Sequence, residues 1–267
     1  MLDAAEVERR TGWKVAAHAV VASTNDEAAV LRDAGLGARI VVVADRQLAG
    51  RGRGGRRFAS PPGGLYASLL VSVRVVDLPA PTIAAVATAL AEAVEAVVPV
   101  PVGIKWPNDL WIARRKVAGI LTEASFGGLG PVARASIVVG IGVNLAGVPI
   151  DLEPDVATAT SALDLHAPAP IRREDLLSEL LPRLDRRLGD LERPAARALL
   201  ERDYRARLVL RGERVRFFVG DEAIEGVLED ASLDRGLLVR DAAGASRWWA
   251  TGLVREVRAV EAPGHLP

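Results

Sequence analysis

A segment rich in glycine and arginine, residues 47–58 (QLAGRGRGGRRF), combines a flexible backbone with a high local charge. Residues 45–57 contain five arginines and one aspartate, a net charge of +4 in a chain whose overall formal charge is zero. Glycine lets backbone amides approach a ligand closely, and guanidinium groups form charge-assisted hydrogen bonds with carboxylates and phosphates. The segment therefore predicts an anion site, for a small phosphate compound or for single-stranded nucleic acid, with a solvated loop as the third possibility.

Two nucleotide-binding motifs are excluded by the context of this segment. Gly50, Gly52 and Gly55 fit the pattern G-x-G-x-x-G, but that motif must open a helix. Residues 58–64 (FASPPGG) cannot propagate one, because they contain two prolines and two glycines. The chain also contains no Gly-Lys-Ser/Thr sequence, so a P-loop is not predicted.

A second segment, residues 105–122 (KWPNDLWIARRKVAGILT), contains Lys105 and Lys116, two of only three lysines beside 31 arginines. Its Pro-Asn-Asp sequence predicts a turn between two short strands. Such a hairpin brings both lysines to the same end of a sheet. A compact ammonium group suits a site where a carboxylate meets a phosphate, whereas the alternative is a surface hairpin with solvated lysines.

Two smaller polar groups adjoin predicted elements. Ser23, Thr24 and Asn25 precede a helical pattern, which indicates a helix cap, although the hydroxyls are also suited to a polar ligand. Residues 140–144 (GIGVN) end a buried strand, where glycines indicate close packing and Asn144 adds an amide.

Composition excludes several classes of protein. The 267 residues include no cysteine, which rules out disulfides and thiolate metal sites, and the three histidines (His18, His166 and His265) show no metal-ligand spacing. The N-terminus is acidic and lacks the apolar region of a secretory signal. The most apolar stretch, residues 83–104, is interrupted by glutamates and prolines, so no transmembrane helix is predicted. We expect a cytoplasmic protein.

Hydrophobic periodicity divides the chain into an α/β part and a β-rich tail. Helices are predicted over residues 83–97, 172–191 and 195–207, and strands over residues 39–44, 66–74 and 135–143. The last of these strands should be buried on both faces. Short alternating runs after residue 209 predict a small barrel.

Taken together, STN at 23–25, QxxGRGR at 47–53, KWPND at 105–109, RKVAGIL at 115–121 and GIGVN at 140–144 resemble biotin protein ligases. The resemblance runs from about residue 13 to the end of the chain and weakens toward the C-terminus. It implies an α/β (α+β) fold: a mixed sheet with flanking helices, like that of class II aminoacyl-tRNA synthetases, over residues 1–208. A small SH3-like barrel is implied over residues 209–267.

The activity implied by the resemblance has two steps. Biotin and ATP, with Mg²⁺ accompanying the nucleotide, give biotinyl-5′-AMP and pyrophosphate; biotin then passes to one lysine of the biotin carboxyl carrier domain of an acetyl-CoA or acyl-CoA carboxylase. A lipoate or octanoate ligase of the same fold is the alternative, but the polar STN and Gln47 set favours a ureido-bearing ligand. Only 22 residues precede Ser23, too few for a winged helix-turn-helix, so no DNA binding is expected.

The resemblance also implies roles for individual residues. Those implied for biotin are Ser23, Thr24, Asn25, Gln47, Arg51, Gly52, Arg53 and Lys116. Those implied for ATP are Arg53, Arg56, Phe58, Asn108 and Asn144, and those implied for catalysis are Lys116, Lys105 and Arg53. Gly54 stands where the family commonly has a larger residue, which predicts a more mobile loop that closes over the adenylate.

Overall fold

The computed structural model describes residues 1–124, 133–149 and 152–260. The larger part of the described chain is a seven-stranded mixed sheet in the order β1-β2-β3-β7-β6-β5-β4. Its strands are β1 (Lys14–Val21), β2 (Ile40–Gln47), β3 (Leu65–Arg74), β4 (Gly103–Lys105), β5 (Asp109–Ile112), β6 (Arg115–Ala124) and β7 (Arg134–Val143). Only β1 and β2 run parallel among these neighbours.

Six α-helices accompany the sheet in the described chain. They are α1 (Ala4–Thr11), α2 (Thr24–Asp33), α3 (Ala80–Val97), α4 (Pro154–Thr158), α5 (Arg173–Asp190) and α6 (Pro194–Ala206). The periodicity of the sequence predicted α3, α5 and α6, and α5 continues through Pro182. The predicted mixed sheet with flanking helices is confirmed.

Two apolar clusters lie on opposite faces of the sheet because strand side chains alternate. Val41 and Val43 of β2 belong to the main core, which contains α3 and α5. Ile40 and Val42 of the same strand belong to a smaller cluster beneath α2. β7 contributes to both clusters, as expected for a strand buried on both faces.

Helix α3 is long and apolar enough to span a membrane by length and composition alone, with a mean hydropathy of 1.4 over 18 residues. About two thirds of that window (67%) is buried inside the protein, and the helix packs against α5 and α6. This packing is typical of the central helix of a soluble fold.

The C-terminal strands form a separate antiparallel sheet in the order β11-β10-β9-β8-β12. They are β8 (Arg214–Val219), β9 (Glu222–Ser232), β10 (Gly236–Arg240), β11 (Ser246–Trp249) and β12 (Val254–Ala259). The sheet is open, since its end strands β11 and β12 do not pair with each other in this order. The predicted small barrel is therefore not confirmed, because a run of short strands predicts their number and spacing but not how they close.

The two sheets are joined closely. The segment between α6 and β8 runs beside β4, where the Ile104 amide donates to the Arg207 carbonyl at 2.7 Å and the Val209 amide donates to the Ile104 carbonyl at 3.0 Å. The C-terminal sheet is thereby held near the lysine hairpin of β4 to β6.

Candidate functional site

The Ser-Thr-Asn sequence begins helix α2, as the capping pattern predicted. The Ser23 side chain accepts a hydrogen bond from the Asn25 amide at 3.3 Å. Ser23, Thr24 and Asn25 are all buried. Gln47, at the end of the neighbouring strand β2, accepts from both the amide and the hydroxyl of Thr24 at 2.8 and 3.0 Å. The structure thus brings Gln47 against the Ser-Thr-Asn sequence, although 23 positions separate it from Thr24.

Two serines that sequence reasoning missed complete this polar group. Ser68 lies fully buried in the middle of β3, and its hydroxyl contacts Thr24 Oγ1 at 2.7 Å and Asn25 Oδ1 at 2.5 Å. Ser60 Oγ accepts from Gln47 Nε2 at 2.9 Å. The available signal for Ser68 was a lone hydroxyl inside the apolar run of β3. We call Ser23, Thr24, Asn25, Gln47, Ser60 and Ser68 the polar pocket.

The polar pocket retains one unpaired donor. Asn25 Nδ2 is buried and has no hydrogen-bond partner among the described residues. A side chain on Gly140 would overlap Asn25 Oδ1, so the glycine leaves the space that Asn25 occupies. Because a buried unpaired amide is costly, the pocket is suited to a ligand that brings a hydrogen-bond acceptor.

The lysine hairpin forms as the Pro-Asn-Asp turn predicted. Asp109 of β5 lies opposite Lys105 of β4 in the strand register, and Lys116 Nζ lies 2.7 Å from Asp109 Oδ1. Burial lowers the pKa of Lys105, an effect that the nearby Asp109 charge partly offsets. Lys116 therefore pairs with Asp109, and Lys105 lies opposite the same residue at the same end of the sheet.

The backbone of Lys116 is fixed by the segment that follows α4. The Lys116 amide donates to the Ala159 carbonyl, and the Ser161 amide donates to the Lys116 carbonyl, both at 2.8 Å. Asn144 Nδ2 donates to the Ser161 carbonyl at 3.0 Å, which holds this segment against the end of β7. Asn144 thus orients the strand that carries Lys116.

Asn108 is also engaged by the protein. Its side-chain amide donates to the Ile120 carbonyl at 2.6 Å across the hairpin. The contacts of Asn108 and Asn144 with a nucleotide remain predictions, because both side chains bond to the backbone here.

The arginine loop, residues 50–58, folds back on itself. The Gly52 amide donates to the Arg56 carbonyl at 2.7 Å, and the Phe58 amide donates to the Gly50 carbonyl at 2.9 Å. Gly54 and Gly55 adopt φ values of 70° and 75°, a left-handed conformation that side chains disfavour. This geometry gives a structural reason for the glycine at position 54.

Two of the loop arginines, Arg51 and Arg56, pair with acidic residues on three elements. Arg51 forms a bidentate pair with Asp26 of α2, at 2.9 and 2.7 Å, and also contacts Glu123 of β6. Arg56 pairs with Glu256 of β12 at 2.7 Å. This pairing disfavours the interpretation of the loop as an unstructured nucleic-acid-binding segment.

Arg53 differs from its neighbours because its acceptors are backbone groups of the C-terminal sheet region. Its NH2 group donates to the carbonyls of Val254 at 2.7 Å and Thr251 at 3.3 Å. Burial lowers the pKa of Arg53, and the Asp109 charge opposes that shift. A half-buried guanidinium without a carboxylate of its own is well suited to an anionic ligand.

Phe58 links the loop to both the end of β7 and Lys116. A side chain on Gly142 would lie 2.5 Å from the Phe58 ring, so the ring rests directly on the glycine backbone. Lys116 Nζ lies 5.9 Å from the centroid of the same ring, and Tyr66 packs edge-on at 6.4 Å. Phe58 therefore lies near Lys116, and its carbonyl accepts a hydrogen bond from Ser60 of the polar pocket.

The site combines the uncharged hydrogen-bonding groups of the polar pocket with three cations, Lys116, Lys105 and Arg53. Such a set is suited to a ligand with an uncharged polar end and a negatively charged end. Among residues 1–124, 133–149 and 152–260, no three or more acidic or histidine side chains form a group that could hold a metal ion. His166 Nε2 lies 2.9 Å from Ser161 Oγ, in a structural role, and His265 lies outside the described residues.

The fold places this candidate small-molecule site on a mixed sheet. Comparison with known proteins gives the family to which the chain belongs. Residues 18–144 match the biotin/lipoate A/B protein ligase family. The chain is 36% identical to the biotin–acetyl-CoA-carboxylase ligase of Mycobacterium tuberculosis, over 93% of this chain and 91% of that protein. Identity to the ligase of the same name from Paracoccus denitrificans is 35%, over 83% of this chain and 92% of that protein.

A solved structure supports the fold. The biotin protein ligase from Aquifex aeolicus, in complex with biotin and ATP, has a TM-score of 0.76 to this chain at 24% identity. The alignment covers 92% of this chain and 99% of that one. The chain belongs to the biotin/lipoate A/B protein ligase family, and the resemblance of its motifs to biotin protein ligases is confirmed.

Proposed function

We propose that this protein is an ATP-dependent biotin protein ligase. In the first step, a biotin carboxylate oxygen attacks the α-phosphate of ATP, and pyrophosphate leaves to give biotinyl-5′-AMP. In the second step, the amine of a carrier lysine attacks the acyl carbon, AMP leaves, and the amine proton is lost. The observation that carries this proposal is the polar pocket joined through Phe58 to the Lys116–Asp109 pair.

The polar pocket is the proposed place for the ureido ring of biotin. Ser23, Thr24, Asn25 and Gln47 surround it with hydroxyl and amide groups, and Asn25 Nδ2 is a free donor for a ureido oxygen. A plain alkyl chain or a dithiolane ring offers no acceptor and would leave Asn25 Nδ2 unpaired. The pocket therefore favours biotin over lipoate or octanoate.

The cations at the other end suit the adenylation step. A carboxylate and a phosphate repel each other, so positive charge must be held in place where they meet. Lys116, Lys105 and Arg53 supply it. The backbone amides of Arg51 and Arg53 are proposed to donate to the biotin carboxylate, since the Gly52 amide already donates to the Arg56 carbonyl. Fixed cations in a partly buried site act without the reorganisation that water would need.

The nucleotide is proposed to lie beside Arg53, Arg56 and Phe58, near the segments that Asn108 and Asn144 hold. Mg²⁺ would enter with ATP as part of the substrate, since magnesium in such sites is bound mainly by phosphate oxygens and water with one or two carboxylates. The absence of a preformed acidic cluster within the described residues is consistent with that mode of entry.

The partner is proposed to be the biotin carboxyl carrier domain of an acetyl-CoA or acyl-CoA carboxylase, because the relatives from M. tuberculosis and P. denitrificans are named for acetyl-CoA carboxylase. We also propose a cytoplasmic location, where that carrier and ATP meet. Residues 1–208 would form the catalytic domain and residues 209–267 an SH3-like domain. Five short antiparallel strands support the last assignment.

Biotin-dependent exchange of labelled pyrophosphate into ATP tests this function, with biotin, lipoate and octanoate as parallel substrates. We expect exchange with biotin at a rate at least 100-fold above that with either alternative, as is usual where a site hydrogen-bonds its substrate. Exchange with lipoate or octanoate at the rate seen with biotin, or no exchange with biotin, would overturn the proposal. Transfer of label from biotin to a purified carrier domain tests the second step.

A further inference from the structure

Ser60 lies where the polar pocket meets the arginine loop. It is 5% exposed, and its hydroxyl contacts one group on each side. Gln47 Nε2 donates to Ser60 Oγ at 2.9 Å, and Ser60 Oγ donates to the Phe58 carbonyl at 3.0 Å. The contact on one side is with the pocket, and the contact on the other is with the last residue of the loop.

The direction of these hydrogen bonds is determined by backbone groups at both ends. The Thr24 amide can only donate, so Gln47 must turn its oxygen toward Thr24 and its NH₂ group toward Ser60. The Phe58 carbonyl can only accept, so Ser60 must donate its single hydroxyl hydrogen to that carbonyl. The chain from Thr24 through Gln47 and Ser60 to Phe58 therefore has one hydrogen-bonding arrangement.

The base of the loop is packed tightly around this chain. A side chain on Gly50 would lie 2.5 Å from the Phe58 carbonyl oxygen and 2.6 Å from Ser60 Oγ. The Gln47 amide also donates to the Ser60 carbonyl at 3.3 Å. Movement of Gln47 thus cannot leave Ser60 and Phe58 undisturbed, because the space around them is filled.

We propose that Ser60 is a positioning residue that couples occupancy of the polar pocket to the position of the arginine loop. It contacts no substrate in this proposal. A ureido ring that bonds to Gln47 further restrains this residue in its one hydrogen-bonding arrangement. Through Ser60 the restraint reaches the Phe58 carbonyl, and the loop is held over the adenylate. The inference rests on the proposed function and adds a residue through which the loop responds to biotin.

Steady-state kinetics of Ser60→Ala separate coupling from a merely structural role. We expect the KM for biotin in pyrophosphate exchange to rise about tenfold, because removal of one partner leaves the Gln47 amide unpaired. The KM for ATP should stay within twofold. Biotin-dependent release of AMP in the absence of carrier should rise about fivefold, because a poorly positioned loop lets water reach the adenylate and hydrolyse it.

Three further variants keep the test decisive. Ser60→Thr retains the hydroxyl and should restore both values toward those of the wild type. Gly50→Ala disturbs the same contacts from the opposite side and should reproduce the Ser60→Ala effects, even if Ser60→Ala folds poorly. Ser72→Ala removes a serine that accepts from Arg134 at 3.0 Å at the far end of β3, and it should change neither value.

The outcomes distinguish this inference from the proposed function. A wild-type protein with no biotin-dependent exchange would overturn the function and the inference together. If wild-type exchange is normal, a rise in the KM for biotin in Ser60→Ala and Gly50→Ala without a rise in AMP release would overturn the inference alone. Equal increases in both KM values, or no change in either, would also overturn it.

Discussion

Lys116 and Asp109 form an ion pair across the β5–β6 hairpin, with Nζ 2.7 Å from Oδ1. Lys105 lies opposite the same aspartate in the register of β4 and β5. Asp109 therefore pairs with Lys116 and lies near the second lysine, Lys105, and a net positive charge remains for a ligand. A side chain on Gly119 would lie 3.0 Å from Lys116 Nζ, so the glycine leaves room for the ammonium group beside Asp109. A carboxylate or phosphate that enters the site competes with Asp109 for Lys116.

Replacement of Lys116 by alanine should abolish catalysis and leave the fold intact. The side chain supplies charge at the site but no apolar core contact, so we expect biotin-dependent pyrophosphate exchange to fall at least 100-fold, the usual cost of one lost electrostatic contact in a transition state. Lys116→Arg should also be impaired, because a planar fork cannot occupy the place of a compact ammonium group beside Asp109.

Lys14→Ala is the matched control for both variants, since Lys14 is the exposed first residue of β1. It should retain wild-type exchange. Circular dichroism and thermal melting would establish that each variant is folded. A folded Lys116→Ala protein with near-normal exchange would contradict the role assigned to this lysine.

Lys105 should lower the stability of the protein near neutral pH. Burial lowers its pKa, an effect opposed by Asp109 and reinforced by the other cations near it, namely Lys116, Arg258 and Arg56. The folded state thus disfavours the charged form that the unfolded chain accepts freely. We expect Lys105→Met to raise the free energy of unfolding by about 0.5 to 2 kcal/mol, the usual range of a stabilising substitution, while exchange activity falls.

The pH dependence of this effect has a definite sign. Below the folded-state pKa of Lys105 both states are protonated, and the burial cost is fully present. As pH rises from the lowered folded pKa toward the unfolded one, the unfolded state binds more protons, so wild-type stability rises. The advantage of Lys105→Met should therefore shrink with rising pH. Unfolding in denaturant across this range measures it, and a constant difference, or one equal to that of Lys14→Met, would be inconsistent with this account.

Sequence reasoning predicted the elements of this fold better than their long-range contacts. Periodicity identified α3, α5 and the β-rich tail, because an apolar stripe and alternation are local signals. The link from Arg53 to the Val254 carbonyl joins residues 201 positions apart, and a backbone acceptor has no sequence signature. The predicted small barrel in the C-terminal region was not confirmed, since strand count does not determine how edge strands pair.

The polar pocket shows the same limit at the level of single residues. Thr24 and Gln47 were predicted to act together from their resemblance to a family, and the structure joins them directly. Ser60 and Ser68 were missed, because one serine beside two prolines or inside an apolar strand is common in proteins. Their importance depends on neighbours that only the fold brings within reach.

Gly140→Ala should weaken the polar pocket. The added methyl group would overlap Asn25 Oδ1, and Asn25 is buried and bonded to Ser68, so it has little freedom to move. We expect a loss of about 1 to 3 kcal/mol in stability, the usual cost of overpacking. Biotin affinity, measured by calorimetry, should fall about tenfold.

Gly189→Ala is the control for this substitution. Gly189 lies in α5 with no atom within 4 Å of an added methyl group, so alanine there should be neutral or stabilise the helix by up to about 1 kcal/mol. Biotin affinity should be unchanged in this variant. Unaltered biotin affinity in Gly140→Ala would show that the position of Asn25 does not matter to the ligand.

The arginine loop should be cleaved by trypsin more slowly when biotin and ATP are both present. Arg51, Arg56 and Arg57 are exposed, and Gly54 and Gly55 give the loop a flexible turn, features that favour proteolysis. A bound adenylate supplies the anion that the loop arginines and the loop backbone can contact, which should hold the loop closed. We expect at least a fivefold decrease in the rate of cleavage, followed by mass spectrometry of the fragments.

The ion pairs of the loop arginines allow each half of the loop to be tested separately. Arg51 forms ion pairs with Asp26 and Glu123, whereas Arg56 forms an ion pair with Glu256 of the C-terminal sheet. Asp26→Asn should therefore speed cleavage in the empty protein by loosening the first half of the loop, and Glu256→Gln by loosening the second. Both variants should still be protected by biotin with ATP, because protection comes from the adenylate and not from these pairs. Equal cleavage rates of the wild type with and without the two substrates would show that the loop does not close.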